Sequence, residues 1–143
     1  LLRHRYDVLG VTADVQSFYT DMPSLLGQSH LVICRAGAST LAELAAIGRP
    51  SLLLPLQNAM DDHQRMNALQ MQDVGGGICL DETTLSAVVL SARLKQLLKT
   101  PRSLSKMAKS AQSLASPNAA DLIVAIAENL MAVIPSKHRG AAA

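Results

Sequence analysis

A chain of 143 residues, 49% of them hydrophobic, suffices for one domain with one modest core, since domains run about 100 to 200 residues. Aromatic residues make up 2% and Trp is absent, so the core is built from aliphatic side chains and Met, and stacking platforms for single-stranded nucleic acid are scarce. A net charge of +2 with acids and bases interspersed gives no basic stripe to follow a phosphate backbone, so no nucleic acid is expected as a partner.

The chain opens at Leu1 with LLRHRYDVLG, which carries no start signal for a domain, and an upstream part is expected to be missing. Four short β-rich runs then alternate with helical periodicity, as in α/β layering around a mostly parallel sheet. Asp14–Phe18 is the first predicted strand, and Asp21 caps a short helix to about Gln28 with Pro23 in its first turn. Leu31–Cys34 is the second strand. A helix over Thr40–Ile47 follows, with Leu41, Leu44 and Ala45 on one face and Gly48 and Pro50 as stop signals. Ser51–Leu54 is the third strand, Asp62–Val74 a helix, and Gly77–Leu80 the fourth strand. Leu85, Val88, Val89, Ala92 and Leu97 then recur at helical spacing in an element that Pro101 ends. Arg102–Leu114 reads as an amphipathic helix. Ser116 and Pro117 open a last helix whose buried face is Leu122, Ile123, Ile126 and Leu130. Residues 136–143 read as a frayed tail, in which Lys137, His138 and Arg139 are either solvated or in weak contact with anionic lipid.

Cys34 and Cys79 lie far apart without the spacing of a zinc site or a disulfide framework, which fits a reducing cytoplasm. No metal site and no cofactor are expected. The most apolar stretch, Leu122–Ile134, is too short to span a bilayer and contains Glu128 and Asn129, so a soluble or at most peripheral protein is expected.

The chemistry concentrates in two strand ends. LVICRAGASTLAELAAIGRPSLLLP, from Leu31 to Pro55, places Gly37, Ala38, Ser39 and Thr40 where a strand's carboxyl end meets a helix's amino end. Open α/β sheets bind ligands at such points, and unpaired backbone N–H groups with the positive end of the helix dipole suit a diphosphate there. The other reading is that small residues only pack the helix close to the sheet. Glu43, three residues past Thr40, can accept both hydroxyls of a ribose, or it can close a capping box with Thr40. In PLQNAMDDHQRMNAL, Gln64 and Asn67 are neighbours on a helix surface, with Gln57 in the loop before it. Neutral amides read vicinal sugar hydroxyls without adding charge beside a diphosphate; the alternative is a pair of ordinary solvated residues. Asp61 and Asp62 are helix-start acids, and His63 touches ligand or solvent. His4, His30 and His138 have no local constellation.

CRAGASTLAELAAIGRPSLLLPL followed by DDHQRMNA, with FYTDM upstream, resembles the carboxyl-terminal lobe of the MurG family, two-lobed GT-B glycosyltransferases of bacterial cell-wall synthesis. The resemblance runs from about Val11 to about Ile134. It implies a Rossmann-like, mostly parallel sheet with flanking helices, residues 1–135 forming part of a UDP-sugar-binding lobe. By position it implies that Gly37, Ala38, Ser39 and Thr40 lie at the diphosphate and sugar, and that Glu43 takes the ribose hydroxyls. Gln64 and Asn67 then lie at the N-acetylglucosamine, and Phe18 and Tyr19 line the uracil, with Phe18 as a core residue the alternative. The family's reaction is an inverting transfer of N-acetylglucosamine from UDP to lipid I, giving lipid II, at the cytoplasmic face of the inner membrane. Its proposed base and acceptor loops lie in the amino-terminal lobe, so no catalytic residue is expected within these residues, and this chain alone is not expected to transfer sugar. The competing expectations are a donor-binding subunit of a split transferase, a non-catalytic sugar-nucleotide-binding module, and a transferase using another lipid acceptor.

Overall fold

A computed structural model describes residues 1–57 and 62–133; the expectations for Asp61 and for the tail from residue 136 lie outside them. In chain order the elements are α1 (Leu2–Val8), α2 (Met22–Gln28), β1 (Val32–Cys34), α3 (Ala38–Ile47), β2 (Ser51–Leu53), α4 (His63–Asp73), β3 (Gly77–Cys79), α5 (Ala87–Leu98), α6 (Pro101–Gln112) and α7 (Ala119–Val133). The strands form a parallel sheet in the order β1-β2-β3, with Val32, Ser51 and Gly77 in register at one end and Cys34, Leu53 and Cys79 at the other. Parallel neighbours need crossover connections, here α3 and α4, and the two faces of the sheet are covered accordingly. Leu53 joins Leu26, Leu41, Leu44, Ala45, Ala68 and Met71 on the side of α2, α3 and α4. Leu52 joins Leu80, Leu97 and Met107 on the side of α5 and α6. The central strand is buried throughout, and removing a Leu of this kind from water contributes about 1.5–3 kcal/mol.

Helix α6 closes the amino edge of the sheet. A Cβ at Gly48, just before β2, would meet the Ala108 carbonyl at 3.2 Å, and one at Gly76, just before β3, would meet the Ala111 backbone at 2.7 Å. Gly48 also holds φ +69°, the left-handed conformation that ends α3 and that glycine adopts without steric cost. The opposite, carboxyl edge has no such cover among the described residues.

Several sequence expectations are corrected. Asp14–Phe18 is not a strand: a β-prone run becomes one only when a neighbour pairs its backbone, and here the Asp14 carbonyl accepts from Tyr19 Oη at 2.8 Å and the Val15 carbonyl from Arg3 Nη2 at 2.7 Å. Helix α1 had no sequence signal. Pro101 begins α6 instead of merely ending α5, because the first helical turn does not need its missing N–H. In α5 the stripe that packs is Leu90, Leu94 and Leu97 with Leu85 before it, while Val88 is 78% exposed. Ser116–Asn118 form a turn and α7 starts at Ala119. Its apolar face is not buried: Leu122, Ile123, Ile126 and Leu130 are 56–67% exposed, because periodicity marks an apolar side without supplying a neighbour to cover it. Among the described residues no helix is long and apolar enough to cross a membrane.

The approach of β2 and α4 to β3 has a measurable consequence. A Cβ at Gly77 would lie 2.7 Å from Ser51 Oγ and 2.9 Å from Met71 Cγ, so Gly77→Ala is expected to cost about 1–3 kcal/mol in urea unfolding. Gly27→Ala in α2, where a Cβ meets nothing within 4 Å, should be neutral or stabilise by about 0.5–1 kcal/mol.

Candidate functional site

Because the strands are parallel, β1, β2 and β3 all leave the sheet at the same edge, and α3 and α4 start there. Between β1 and α3 the chain runs Arg35, Ala36, Gly37, with Ala36 wholly buried. Gly37 is the cap residue of α3, with φ −68° and ψ 147°. No side chain caps this helix, and its first internal bond is Leu41 N–H to the Gly37 carbonyl at 3.0 Å. The N–H groups of Ala38, Ser39 and Thr40 therefore have no intrahelical acceptor and point off the sheet edge with the positive end of the helix dipole.

Gly37 is not required by the fold. Its φ is ordinary, and a Cβ there would meet only Thr40 Oγ1, at 3.8 Å. The capping-box reading of Thr40 and Glu43 is also removed, since Thr40 lies inside the helix, three residues past the cap. Glu43 is exposed one turn further on and has no hydrogen-bond partner among the described residues.

Helix α4 reaches back to this turn. Asn67 Nδ2 donates to the Ala36 carbonyl at 3.1 Å, and Gln64 Oε1 accepts from the Leu56 N–H at 2.9 Å. Both amides are half-buried and tied to strand exits, so they are not free solvated residues. Each keeps one polar atom, Gln64 Nε2 and Asn67 Oδ1, without a partner among the described residues. Ala38, Leu41, Asn67 and Met71 help line a hollow of about 180 Å³ between α3 and α4. Asp62 takes the cap position of α4 in the left-handed conformation, φ 50°, but its carboxylate caps nothing and stands 3.8 Å from Arg65. His63 is exposed.

Phe18 and Tyr19 stand apart. Phe18 is 76% exposed, which excludes the core reading, and Tyr19 lines a separate hollow of about 200 Å³ with Asp14, Thr20, Asp21 and Ser24. No hydrogen bond joins either residue to α3 or α4 among the described residues. The structure thus ties Asn67 to the turn ahead of α3, where Gly37 and Ala38 stand, and Gln64 to the β2 exit; Ser39, Thr40 and Glu43 follow along α3 with no bond to α4 among the described residues, and the two aromatics stay on a neighbouring segment.

Sequence reasoning missed Arg35 and Glu82. Their guanidinium and carboxylate meet in two bonds, 2.6 and 2.9 Å, across the strand exits. That hydrogen bonding draws the Glu82 carboxyl below its ordinary 4.5 and raises Arg35 further. A lone charge inside a strand-to-helix turn of small residues is the one signal that pointed to it. Hydrogen bonds from Thr83 lower Asp81. Burial raises the thiols of Cys34 and Cys79, which keeps both protonated and poor as nucleophiles or ligands at neutral pH. No group of metal-ligating side chains forms among the described residues.

A parallel sheet whose crossover helices start at one open edge, with an uncapped helix start there, is a Rossmann-like lobe with its ligand edge open, and the likeness to known proteins makes it the carboxyl-terminal lobe of a GT-B glycosyltransferase. The chain belongs to the family described as the glycosyltransferase family 28 C-terminal domain, whose model matches residues 3–123. It is similar to two proteins named UDP-N-acetylglucosamine–N-acetylmuramyl-(pentapeptide) pyrophosphoryl-undecaprenol N-acetylglucosamine transferase. The one from Rhodospirillum rubrum is 40% identical over 141 residues, 96% of this chain and 36% of that protein. The one from Caulobacter vibrioides is 49% identical over 118 residues, 82% of this chain and 33% of that protein. The crystal structure of Acinetobacter baumannii MurG superposes with a TM-score of 0.77 at 34% identity, over 83% of this chain and 34% of that one. The chain therefore spans about a third of the length of the relatives it matches.

The ion pair supplies a pH test. With its folded-state value below 4.5, Glu82 contributes stability that is complete above 4.5 and lost as pH falls through the lowered value. Urea midpoints should show Glu82→Gln flattening the acid limb of the stability curve below that point, with little change at neutral pH, where solvent screens an exposed pair heavily.

Proposed function

We propose that this chain binds UDP-N-acetylglucosamine as the donor lobe of an inverting transferase that moves N-acetylglucosamine to lipid I, making lipid II. The observation that carries this reading is the start of α3: N–H groups without acceptors, beside a glycine the fold does not need, with the Asn67 amide of α4 bonded to the turn just ahead of it. The diphosphate lies against the Ala38, Ser39 and Thr40 backbone, where Gly37 leaves room for its approach. As the bond from sugar to phosphate breaks, negative charge grows on the departing diphosphate, and fixed N–H dipoles stabilise it without having to reorganise. Glu43, with no competing partner among the described residues, accepts the ribose hydroxyls. Gln64 and Asn67 present one free amide atom each to the sugar. Phe18 and Tyr19 form the uracil side of the site once the donor is seated.

The acceptor hydroxyl loses its proton as it attacks, which needs a base positioned on the acceptor's side. In this reading the base and the lipid I site lie in the part of the relatives' length that these residues do not cover. The relatives' names give the acceptor as a pyrophosphoryl-undecaprenol, a lipid, which supports work at a membrane surface; in this reading that surface is the cytoplasmic face of the inner membrane.

Calorimetry with UDP-N-acetylglucosamine tests this directly. The folded chain is expected to bind saturably, and Glu43→Gln to weaken binding by roughly ten- to hundredfold, the worth of a hydrogen bond to a charged group. Its melting temperature should not change, since Glu43 caps nothing. A folded chain that binds no UDP-sugar would refute the reading.

A further inference from the structure

Arg35 and Glu82 have no part in the donor contacts above, yet they sit at the centre of the open edge. Arg35 Nη1 is 2.6 Å from Glu82 Oε2 and Nη2 is 2.9 Å from Oε1. The same Nη1 lies 3.3 Å from the carbonyls of both Leu54 and Pro55. One guanidinium thus ties the exits of β1, β2 and β3 together. The β2 exit is held from two further sides. Leu56 donates its N–H to Gln64, and Gln57 Nε2 lies 3.3 Å from Asp81 Oδ1, itself fixed by the N–H and hydroxyl of Thr83 at 2.9 and 2.6 Å.

The stability return on this arrangement is small. The two side chains are 47% and 43% exposed, and solvent screens such pairs heavily. What the clasp does instead is geometric: a planar fork holding a carboxylate and two carbonyls at once fixes loop positions that a point charge would leave free. The loop it fixes lies directly against Gln64.

We propose that Arg35 and Glu82 are positioning residues for the donor sugar, setting the Pro55–Gln57 loop, and through the Leu56–Gln64 bond the Gln64 amide, at a defined distance from the N–H groups of α3. This rests on the donor reading above. The diphosphate is held by the α3 backbone and does not depend on the clasp, so disturbing the clasp affects the sugar end of the ligand alone.

The test compares UDP with UDP-N-acetylglucosamine by calorimetry on the unsubstituted chain and on Arg35→Lys, Glu82→Gln and Arg35→Gln/Glu82→Gln, each with a thermal melt. Arg35→Lys keeps the charge and loses the fork. Each single variant is expected to raise the Kd for UDP-N-acetylglucosamine roughly tenfold while leaving that for UDP within about twofold, because misplacing one contact group is costly only for the part it touches. The double variant should lose no more than either single, since both break one contact. Equal losses for the two ligands, unchanged affinities, or melting so early that no variant folds would each overturn the assignment and make the pair a structural one. Binding by the unsubstituted chain with unaltered variants sinks the clasp alone; no binding by the unsubstituted folded chain sinks the donor reading and the clasp with it.

Discussion

Parallel pairing of β1, β2 and β3 constrains everything else in this chain. Strands that run the same way must end on the same side, so every strand-to-helix turn falls on one edge and every helix-to-strand return on the other. The return edge is shut by α6 against Gly48 and Gly76. The exit edge is left to the helix starts, and two successive starts converge because Asn67 of α4 bonds the carbonyl of Ala36 just ahead of α3. A reversed β2 would carry the α4 amides to the far side and leave the N–H groups of α3 with nothing opposite.

The electrostatics of that edge divide by role. The start of α3 offers backbone N–H dipoles without intrahelical acceptors, and α4 offers the neutral amides of Gln64 and Asn67. Arg35 and Glu82, which bridge the strand exits, are paired with each other. An unpaired arginine at this edge would bind any anion in several poses. In the proposed site a paired one holds the loops, and the direction of the N–H groups sets where an anion sits.

Much of this was legible from residue order. The three paired strands, the packing face of α3 with Leu41, Leu44 and Ala45, and the Asp21 cap, whose carboxylate accepts from Ser24 N–H at 3.1 Å, all follow from local periodicity and capping chemistry. The family was legible because two motifs occurred in order after two strand ends, and the match over residues 3–123 agrees. What failed depended on partners outside the local window. Asp14–Phe18 has strand composition but no ladder, and α7 has an apolar stripe but no cover among the described residues. Arg35 and Glu82 are 47 residues apart, so no spacing rule links them. The capping-box reading of Thr40 and Glu43 failed for a different reason: the helix began two residues earlier than its composition suggested, which moved Thr40 from the cap into the first turn.

The central claim is that the amino end of α3 grips the diphosphate. An amide-resolved NMR titration of the folded chain with UDP tests it most directly. The account predicts that the backbone N–H signals of Ala38, Ser39 and Thr40 shift first and furthest, saturating together. Saturable shifts centred elsewhere, with those three amides unmoved, would contradict it.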